Sequence, residues 1–172
     1  MLLLLSLQAR TRFVSLPALS YFDDGRLLTH TKPLITMIKR IAHVGVAVKD
    51  LGLSRELFSK LLGINAPRSE VVEEQQSTVT YFPLGESSLE LIESTTDSSS
   101  LAKFIEKRGE GIHHICLEVD DITKEMQRLK GLGFQFTRDT PFDGGEHTIV
   151  AFIHPRSTNG VLVELSQKVG EM

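Results

Sequence analysis

The feature that most constrains the fold of this 172-residue chain is an internal repeat that begins after about residue 38. In each half, an apolar segment containing a histidine leads to an aspartate and then to apolar residues at helical spacing. His43 precedes Asp50 by seven residues, and His114 precedes Asp121 by seven. A glycine able to end a helix follows the two histidines at 20 and 19 residues. Such self-similarity predicts two equivalent modules that pack as a pair.

Each half has the pattern β-α-β-β-β. Valine-rich or alternating apolar runs predict strands, and Asp50 and Asp121 are side chains that cap helix N-termini. The predicted strands cover 41–48, 71–72, 78–82 and 89–92 in the first half and 112–119, 134–136, 148–153 and 161–165 in the second. A short helix over 101–107 is predicted between them. We therefore expect an α+β fold in one domain over 38–168, with modules at about 38–95 and 110–168 whose sheets form a shared cleft.

Strand alternation decides which histidines can face that cleft. Successive side chains of a strand point to opposite faces, so His43 shares a face with the small residue Gly45, which leaves room beside the imidazole. In the matching strand His114 lies on the face of Cys116, whereas His113 lies on the apolar face. We interpret His114 as the functional partner of His43, and His113 as a hydrogen-bonded packing residue.

The last strand of each half carries a glutamate between apolar neighbours. Glu90 follows His43 by 47 residues, and Glu164 follows His114 by 50. A carboxylate among leucines is costly to bury unless it is paired or coordinates a metal. A set of two imidazoles and two carboxylates suits a divalent ion such as Co, Mn, Ni or Zn. The sequence therefore predicts a metal site made of His43, Glu90, His114 and Glu164, with open positions for a chelating substrate.

Three segments, 41–48 (IAHVGVAV), 109–115 (GEGIHHI) and 154–165 (HP followed by NGVLVEL), resemble the methylmalonyl-CoA epimerase family of the vicinal oxygen chelate superfamily. The resemblance covers about residues 38 to 167. It implies that His43, Glu90, His114 and Glu164 are the metal ligands. It also implies an isomerase that interconverts the (R) and (S) forms of an acyl-CoA thioester by removing and returning its α-proton through a metal-stabilised enolate. Paired modules of this type often form homodimers.

The resemblance leaves one of the two proton-transfer groups unassigned. Glu164 is the candidate catalytic residue as well as a metal ligand. Some bacterial members carry a second catalytic glutamate in the strand after the first helix, and the corresponding position here is Val79. The glycine-rich segment from Gly144 to His147 is a candidate cover for the site.

Composition excludes several other classes of protein. The net charge of −3 and the scattered basic residues argue against nucleic acid as a partner. No apolar run approaches the roughly 20 residues that span a bilayer, so no membrane segment is expected. We interpret residues 1–36 as an N-terminal extension that precedes the folded domain. It contains Arg10 and Arg12, and no acidic residue occurs before Asp23. This composition is typical of a mitochondrial transit peptide and predicts the mitochondrial matrix as the location.

Two other functions fit the same predicted site. A lyase like glyoxalase I also uses four metal ligands and would act on a glutathione hemithioacetal. A non-catalytic module could bind a small ligand in the same cleft without turning it over. A ring-cleaving dioxygenase fits less well, because its iron site uses two histidines and one carboxylate.

Overall fold

The computed structural model describes residues 37–65 and 69–170, together with two short antiparallel strands, β1 (Phe22–Asp23) and β2 (Arg26–Leu27). The chain divides into two units, residues 1–35 and 36–172, and β1 and β2 belong to the first. Apart from β1 and β2, the predicted transit peptide over 1–36 lies outside the described residues. Among the described helices, none has the length and apolar character that a membrane span requires.

The second unit contains both predicted β-α-β-β-β modules. The first consists of β3 (Ile38–Ala47), α1 (Leu51–Leu62), β4 (Ser69–Val72), β5 (Ser77–Leu84) and β6 (Ser87–Ser94). The helix α2 (Ser100–Arg108) follows. The second consists of β7 (Gly111–Val119), α3 (Ile122–Gly131), β8 (Phe142–Asp143), β9 (Thr148–Ile153) and β10 (Leu162–Lys168). Single turns of 3₁₀ helix occur at Glu73–Gln75 and Pro155–Ser157.

The helices α1 and α3 begin in the same way, each after an aspartate that caps its N-terminus. The Asp50 side chain accepts a hydrogen bond from the Leu53 amide at 2.8 Å, and the Asp121 side chain accepts one from the Lys124 amide at 3.0 Å. These bonds satisfy backbone donors that the first helical turn leaves without partners. Gly63 ends α1 in the left-handed conformation, with φ of 66°. The two aspartates therefore have the capping roles that the sequence predicts.

The strand predicted over 134–136 is wrong. In this segment only Phe136 pairs, in a single bridge to Ile153, and the strand position is taken by β8 further along the chain. The amide of Gln135 donates to the Ser157 side chain at 3.0 Å. Because this side-chain bond replaces a ladder bond, the segment leaves the sheet after one bridge.

All strands of the second unit form one eight-stranded mixed sheet in the order β4-β5-β6-β3-β7-β10-β9-β8. The first strands of the modules, β3 and β7, pair antiparallel at its centre. Within each module the first and last strands are parallel neighbours, β3 with β6 and β7 with β10. The module sheets are thus continuous, and the sheet curls so that Glu70 on edge strand β4 reaches the backbone of Glu146 beside β9. The curl encloses the shared cleft.

The helices α1 and α3 pack against the outer face of the curled sheet. The inner face carries the predicted ligands and an apolar cluster that packs against α2. Ile122, Met126 and Leu129 anchor α3 in one core cluster. In α1, Leu51, Phe58 and Leu62 pack inward with residues that include Val46, Val48 and Phe82. Its other leucines face solvent, with Leu53, Leu57 and Leu61 exposed at 68%, 62% and 70%. The helix α1 therefore has an exposed apolar stripe of three leucines at spacings of four residues.

Candidate metal centre

Four adjacent central strands carry the four predicted ligands. In sheet order, β6 carries Glu90, β3 carries His43, β7 carries His114 and β10 carries Glu164. The register places Gly45 opposite both Glu90 and His114, and it places Cys116 opposite both His43 and Glu164. All four side chains meet at the centre of the concave face.

Three of the donor atoms are already at the separations that a metal ion requires. The His43 Nε2 and His114 Nε2 atoms are 2.9 Å apart. The Glu164 Oε2 atom is 3.0 Å from the His114 Nε2 and 3.5 Å from the His43 Nε2. Ligands at ~2.1 Å from one ion are ~3.0 Å apart at right angles and ~3.4 Å apart in a tetrahedron. The donor set therefore fits a divalent ion.

Glu90 joins the same cluster from the other side of the His43 ring. Its Oε1 atom is 2.8 Å from the His43 Nδ1. Ligand atoms of His43, Glu90 and His114 all lie within 4.8 Å of one another, as do those of His43, Cys116 and Glu164. The structure thus brings all four predicted residues together, with Glu90 touching a different nitrogen from the one that faces His114 and Glu164.

The site is buried and strongly paired. Although burial alone lowers the pKa of His43, its hydrogen bonds with Cys116, Glu164 and Glu90 raise that pKa to about 12. Burial alone raises the pKa of Glu164, but hydrogen bonds with His114 and His43 bring it down to about 2. Opposite charges with good geometry offset the cost of removing them from water. Glu164 is consequently a carboxylate at neutral pH.

Gly45 makes the approach of the two histidine-bearing strands possible. A Cβ atom at this position would lie 2.3 Å from the His114 Cε1 atom. The room that the sequence predicts beside His43 is therefore filled by the imidazole of His114. Only a residue without a side chain allows that ring to cross the face of β3.

His113 supports the ring of His114 from behind. The two Nδ1 atoms are 3.1 Å apart, so one donates a hydrogen bond to the other. The His113 ring also packs edge-on against Phe104 of α2, with centroids 4.9 Å apart. Because this contact engages the Nδ1 of His114, the Nε2 atom is the one left for the cluster. The interpretation of His113 as a hydrogen-bonded packing residue agrees with these contacts.

The comparisons with known proteins agree with this geometry. The model of the glyoxalase/bleomycin resistance protein/dioxygenase superfamily matches residues 42–152. The chain belongs to this superfamily. It is 38% identical to the ethylmalonyl-CoA/methylmalonyl-CoA epimerase of Cereibacter sphaeroides, over 76% of this chain and 99% of that protein. It is 35% identical to the mitochondrial methylmalonyl-CoA epimerase of Dictyostelium discoideum, over 76% of this chain and 80% of that protein.

A solved structure extends the likeness to three dimensions. The fold matches a variant of Streptomyces coelicolor methylmalonyl-CoA epimerase in complex with 2-nitronate-propionyl-CoA, with a TM-score of 0.74 at 30% identity. The match covers 77% of this chain and 96% of that one. The recognition from three sequence segments and the predicted vicinal oxygen chelate fold are both confirmed.

The cavity at the cluster contains residues that sequence reasoning missed. Tyr81 and Glu146 line it together with His43, Glu90 and Glu164. Tyr81 lies two residues beyond Val79 on the same face of β5 and opposite Glu90 on β6, a relation that strand alternation alone could have indicated. Glu146 comes from the segment predicted to cover the site, but its sequence carries no signal that singles out its carboxylate.

Cys116 also lies closer to the cluster than the sequence suggested. Its thiol is fully buried between His43 and Glu164 in the sheet register. Burial, with the negative charge of Glu164, raises the pKa of Cys116 to about 11. The thiol is therefore neutral at physiological pH and has no nucleophilic character.

Proposed function

We propose that this chain is a metal-dependent epimerase that interconverts the (R) and (S) forms of methylmalonyl-CoA. The observation that carries the proposal is the convergence of His43, Glu90, His114 and Glu164 in one cluster, which lies beside a cavity that His43, Glu90 and Glu164 line. Membership of the superfamily and the epimerase names of relatives at 35% and 38% identity support the substrate class. The substrate would be an acyl-CoA thioester with a second carboxyl group on its α-carbon.

His43, His114 and Glu164 would hold the metal through the atoms that face one another, and Glu90 is the fourth ligand that we propose. Two imidazole nitrogens with carboxylate oxygens accept Co, Mn, Ni or Zn. When bound, such an ion acts as a Lewis acid that stabilises negative charge developing on the substrate's oxygens. Glu90 also orients the ring, because a carboxylate on one ring nitrogen fixes which nitrogen faces the cluster.

Glu164 would remove the α-proton of one epimer. It is a carboxylate when it holds the metal, because metal ligands bind in their deprotonated form. It lies at the bottom of the cavity, where the surrounding strands exclude bulk water. A weakly basic carboxylate can remove the α-proton only when the pKa of that proton is lowered, and the bound metal would lower it. The base and the metal therefore depend on each other. Proton removal then leaves a planar α-carbon that can be protonated from either face.

The decisive experiment is an epimerase assay on metal-stripped protein with Co, Mn, Ni and Zn added back in turn. We expect inversion at the α-carbon together with incorporation of solvent deuterium there. Activity only on the glutathione hemithioacetal of methylglyoxal would identify a glyoxalase-like lyase instead. Tight binding of methylmalonyl-CoA with neither exchange nor inversion would identify a binding module.

A second copy of the chain would cover the exposed stripe of Leu53, Leu57 and Leu61 on α1. Three leucines exposed at 62% or more along one helix face form a contiguous apolar surface, which typically marks an interface. Leu57→Glu should therefore convert a dimer to a monomer in sedimentation equilibrium. Arg55→Glu introduces the same side chain at another exposed position of α1 and should leave the dimer intact. A monomeric wild type would refute the proposal.

Residues 1–36 would direct the protein to the mitochondrial matrix. Arg10 and Arg12, with no acidic residue before Asp23, support import. A relative from Dictyostelium is named mitochondrial, while the Cereibacter relative is bacterial. Residues 1–36 fused to a fluorescent protein should colocalise with a matrix marker, and Arg10→Glu with Arg12→Glu should abolish import. A cytosolic wild-type fusion would contradict the proposal.

A further inference from the structure

A second cavity adjoins the cluster of predicted ligands. It has a volume of about 400 Å³ and touches the cluster at His114, and it shares Gln75 with the cavity that His43, Glu90 and Glu164 line. Cavities that bind small molecules commonly measure ~300–1,000 Å³. The second cavity is therefore large enough to hold part of a substrate whose reacting end lies at the cluster.

The walls of the second cavity are mainly apolar inside and polar at the rim. Small-molecule sites typically combine apolar walls with a few polar groups that fix the orientation of the ligand. The buried or half-buried apolar side chains are Ile92, Leu101, Phe142, Phe152 and Leu162, and the exposed rim consists of Glu74, Gln76, Ser100, Thr137 and Arg138. Any polar group inside such walls is a candidate for contact with a ligand.

One hydroxyl inside the second cavity has no partner. The Ser77 side chain is 2% exposed, and its Oγ atom forms no hydrogen bond with any residue that the structure describes. No other fully buried side-chain oxygen or nitrogen in the described part of the chain is in this state. An unpaired buried polar group costs free energy, so such groups are rare in folded proteins. Because this hydroxyl lines a cavity, a ligand bound there can supply its partner.

The serine on the facing strand has the contacts that Ser77 lacks. Ser94 lies opposite Ser77 in the pairing of β5 with β6. The Ser94 hydroxyl donates to the Thr96 carbonyl at 2.7 Å and lies 2.5 Å from the Ser99 Oγ. Ser99 in turn caps α2 through the Ala102 amide. Ser94 therefore has a structural role, whereas no contact within the described residues explains a hydroxyl at Ser77.

The charges of the two cavities indicate which of them suits the tail of the proposed substrate. Coenzyme A carries phosphate groups at the far end of the arm that begins at its sulfur. The cavity beside His43 is lined by five carboxyl groups and two cationic side chains, namely Glu86, Glu90, Glu118, Glu146 and Glu164 with Arg40 and Lys168. In the second cavity the rim residues Glu74 and Arg138 pair with each other. An anionic tail therefore meets less repulsion at the second cavity.

Ser77 lies at a distance from the cluster that the arm of a thioester can cover. Ser77 and Tyr81 point to the same face of β5 and are four residues apart, which corresponds to ~13 Å in a strand. Tyr81 pairs with Glu90 of β6. In coenzyme A, two methylene groups separate the sulfur from a first amide, and two more separate that amide from a second. A thioester held at the cluster by its carbonyl oxygen can thus bring an amide to Ser77.

We propose that the second cavity binds the arm that joins the thioester to the nucleotide of coenzyme A, and that the Ser77 hydroxyl forms a hydrogen bond with an amide of this arm. The assignment rests on the proposed function and names the residue that selects the coenzyme A portion of the substrate. The bond would form equally in the ground state and in the transition state, because the arm takes no part in the reaction. Ser77 therefore contributes to substrate affinity and leaves the chemical step unchanged.

The test compares Ser77→Ala with wild type on two methylmalonyl thioesters, that of coenzyme A and that of ethanethiol, which contains no amide. Without the hydroxyl, an amide of the arm loses its partner, so kcat/KM for the coenzyme A thioester should fall ~10-fold. The loss should appear in KM, with kcat unchanged. The value of kcat/KM for the ethyl thioester should stay within about twofold of wild type, a margin small against that ~10-fold loss. Ser77→Thr keeps a hydroxyl and should retain the preference for the coenzyme A thioester.

Thermal unfolding of the ligand-free protein separates binding from structural damage. Ser77→Ala should keep or raise Tm, because it removes an unpaired buried hydroxyl. Ser94→Ala is the matched control on the facing strand. It removes a hydroxyl that is bonded to Thr96 and Ser99, so it should lower Tm. The ratio of kcat/KM for the two thioesters should remain at the wild-type value in Ser94→Ala.

The assignment is wrong if Ser77→Ala keeps the wild-type kcat/KM for the coenzyme A thioester, or if it loses activity equally on both thioesters. Failure of the proposed function has a different signature, a wild-type protein that inverts neither thioester. Calorimetric titration with methylmalonyl-CoA then decides the assignment by itself. Binding that is ~10-fold weaker in Ser77→Ala supports the arm site. Equal binding by the two proteins, or no binding by the wild type, refutes it.

Discussion

Replacing Gly45 with alanine tests whether the crossing of the His114 ring over β3 is what holds the metal site together. The added Cβ would lie 2.3 Å from the His114 Cε1, whereas carbon atoms in contact are ~3.5–4.0 Å apart. The ring must therefore move by ~1 Å or more. A displacement of ~1 Å at a reacting group costs ~100-fold in rate. We expect kcat/KM to fall by about that factor and the metal dissociation constant to rise at least ~10-fold.

Stability should fall together with metal affinity in Gly45→Ala. Overpacking of a filled site costs ~1–3 kcal/mol, which corresponds to a decrease in Tm of about 3 to 12 °C for a domain of this size. Gly131→Ala is the matched control, because Gly131 ends α3 and a Cβ there meets nothing within 4 Å. Its Tm should stay the same or rise slightly. The reasoning fails if Gly45→Ala binds metal within twofold of wild type, as measured by competition with a chromophoric chelator.

Further predictions concern the surroundings of the cluster. His113→Leu removes the hydrogen bond to the His114 Nδ1 and should weaken metal binding ~10–100-fold in calorimetric titration; unchanged affinity would show that the contact does not orient the ring. Chelation should lower the free energy of unfolding by ~2.7 kcal/mol relative to protein in metal at 100 times its dissociation constant, and a Tm insensitive to chelator would contradict a site that fits an ion. Cys116 should react with a disulfide reagent at least ~100-fold faster in denaturant than in the folded protein at pH 7, because its thiol is buried and neutral; rapid labelling of the folded protein would refute that placement.

The sequence carried enough information for the fold and for the arrangement of the ligands because both depend on short-range periodicity. Strand alternation separates His114 from His113, and the repeat assigns Glu90 and Glu164 equivalent places in β6 and β10. The caps at Asp50 and Asp121 follow from local hydrogen bonding alone. Each of these features can be predicted from residues within one element and its copy.

The features that escaped prediction depend on contacts between distant segments. The Ser157 side chain accepts a hydrogen bond from the amide of Gln135, and the strand predicted over 134–136 therefore does not form. The bond from the Glu146 amide to Glu70 depends on how far the whole sheet curls. No pattern within either segment encodes that curl, because it accumulates over eight strands.

The duplicated modules explain why the metal ligands and the proton-transfer groups differ in how predictable they are. A divalent ion can be held by a nearly symmetric set, and the repeat supplies one histidine and one glutamate from each module. Inversion at carbon needs two groups on opposite faces of one atom, and the repeat does not decide which side chains these are. The connection before β5 places Gln75 and Gln76 at the cavities, with Gln76 at φ of 52°. The corresponding connection in the second module, before β9, places Glu146 at the cavity, with φ of 49°. The two connections thus share a residue in the left-handed conformation but differ in its side chain, which is an amide in the first module and a carboxyl group in the second.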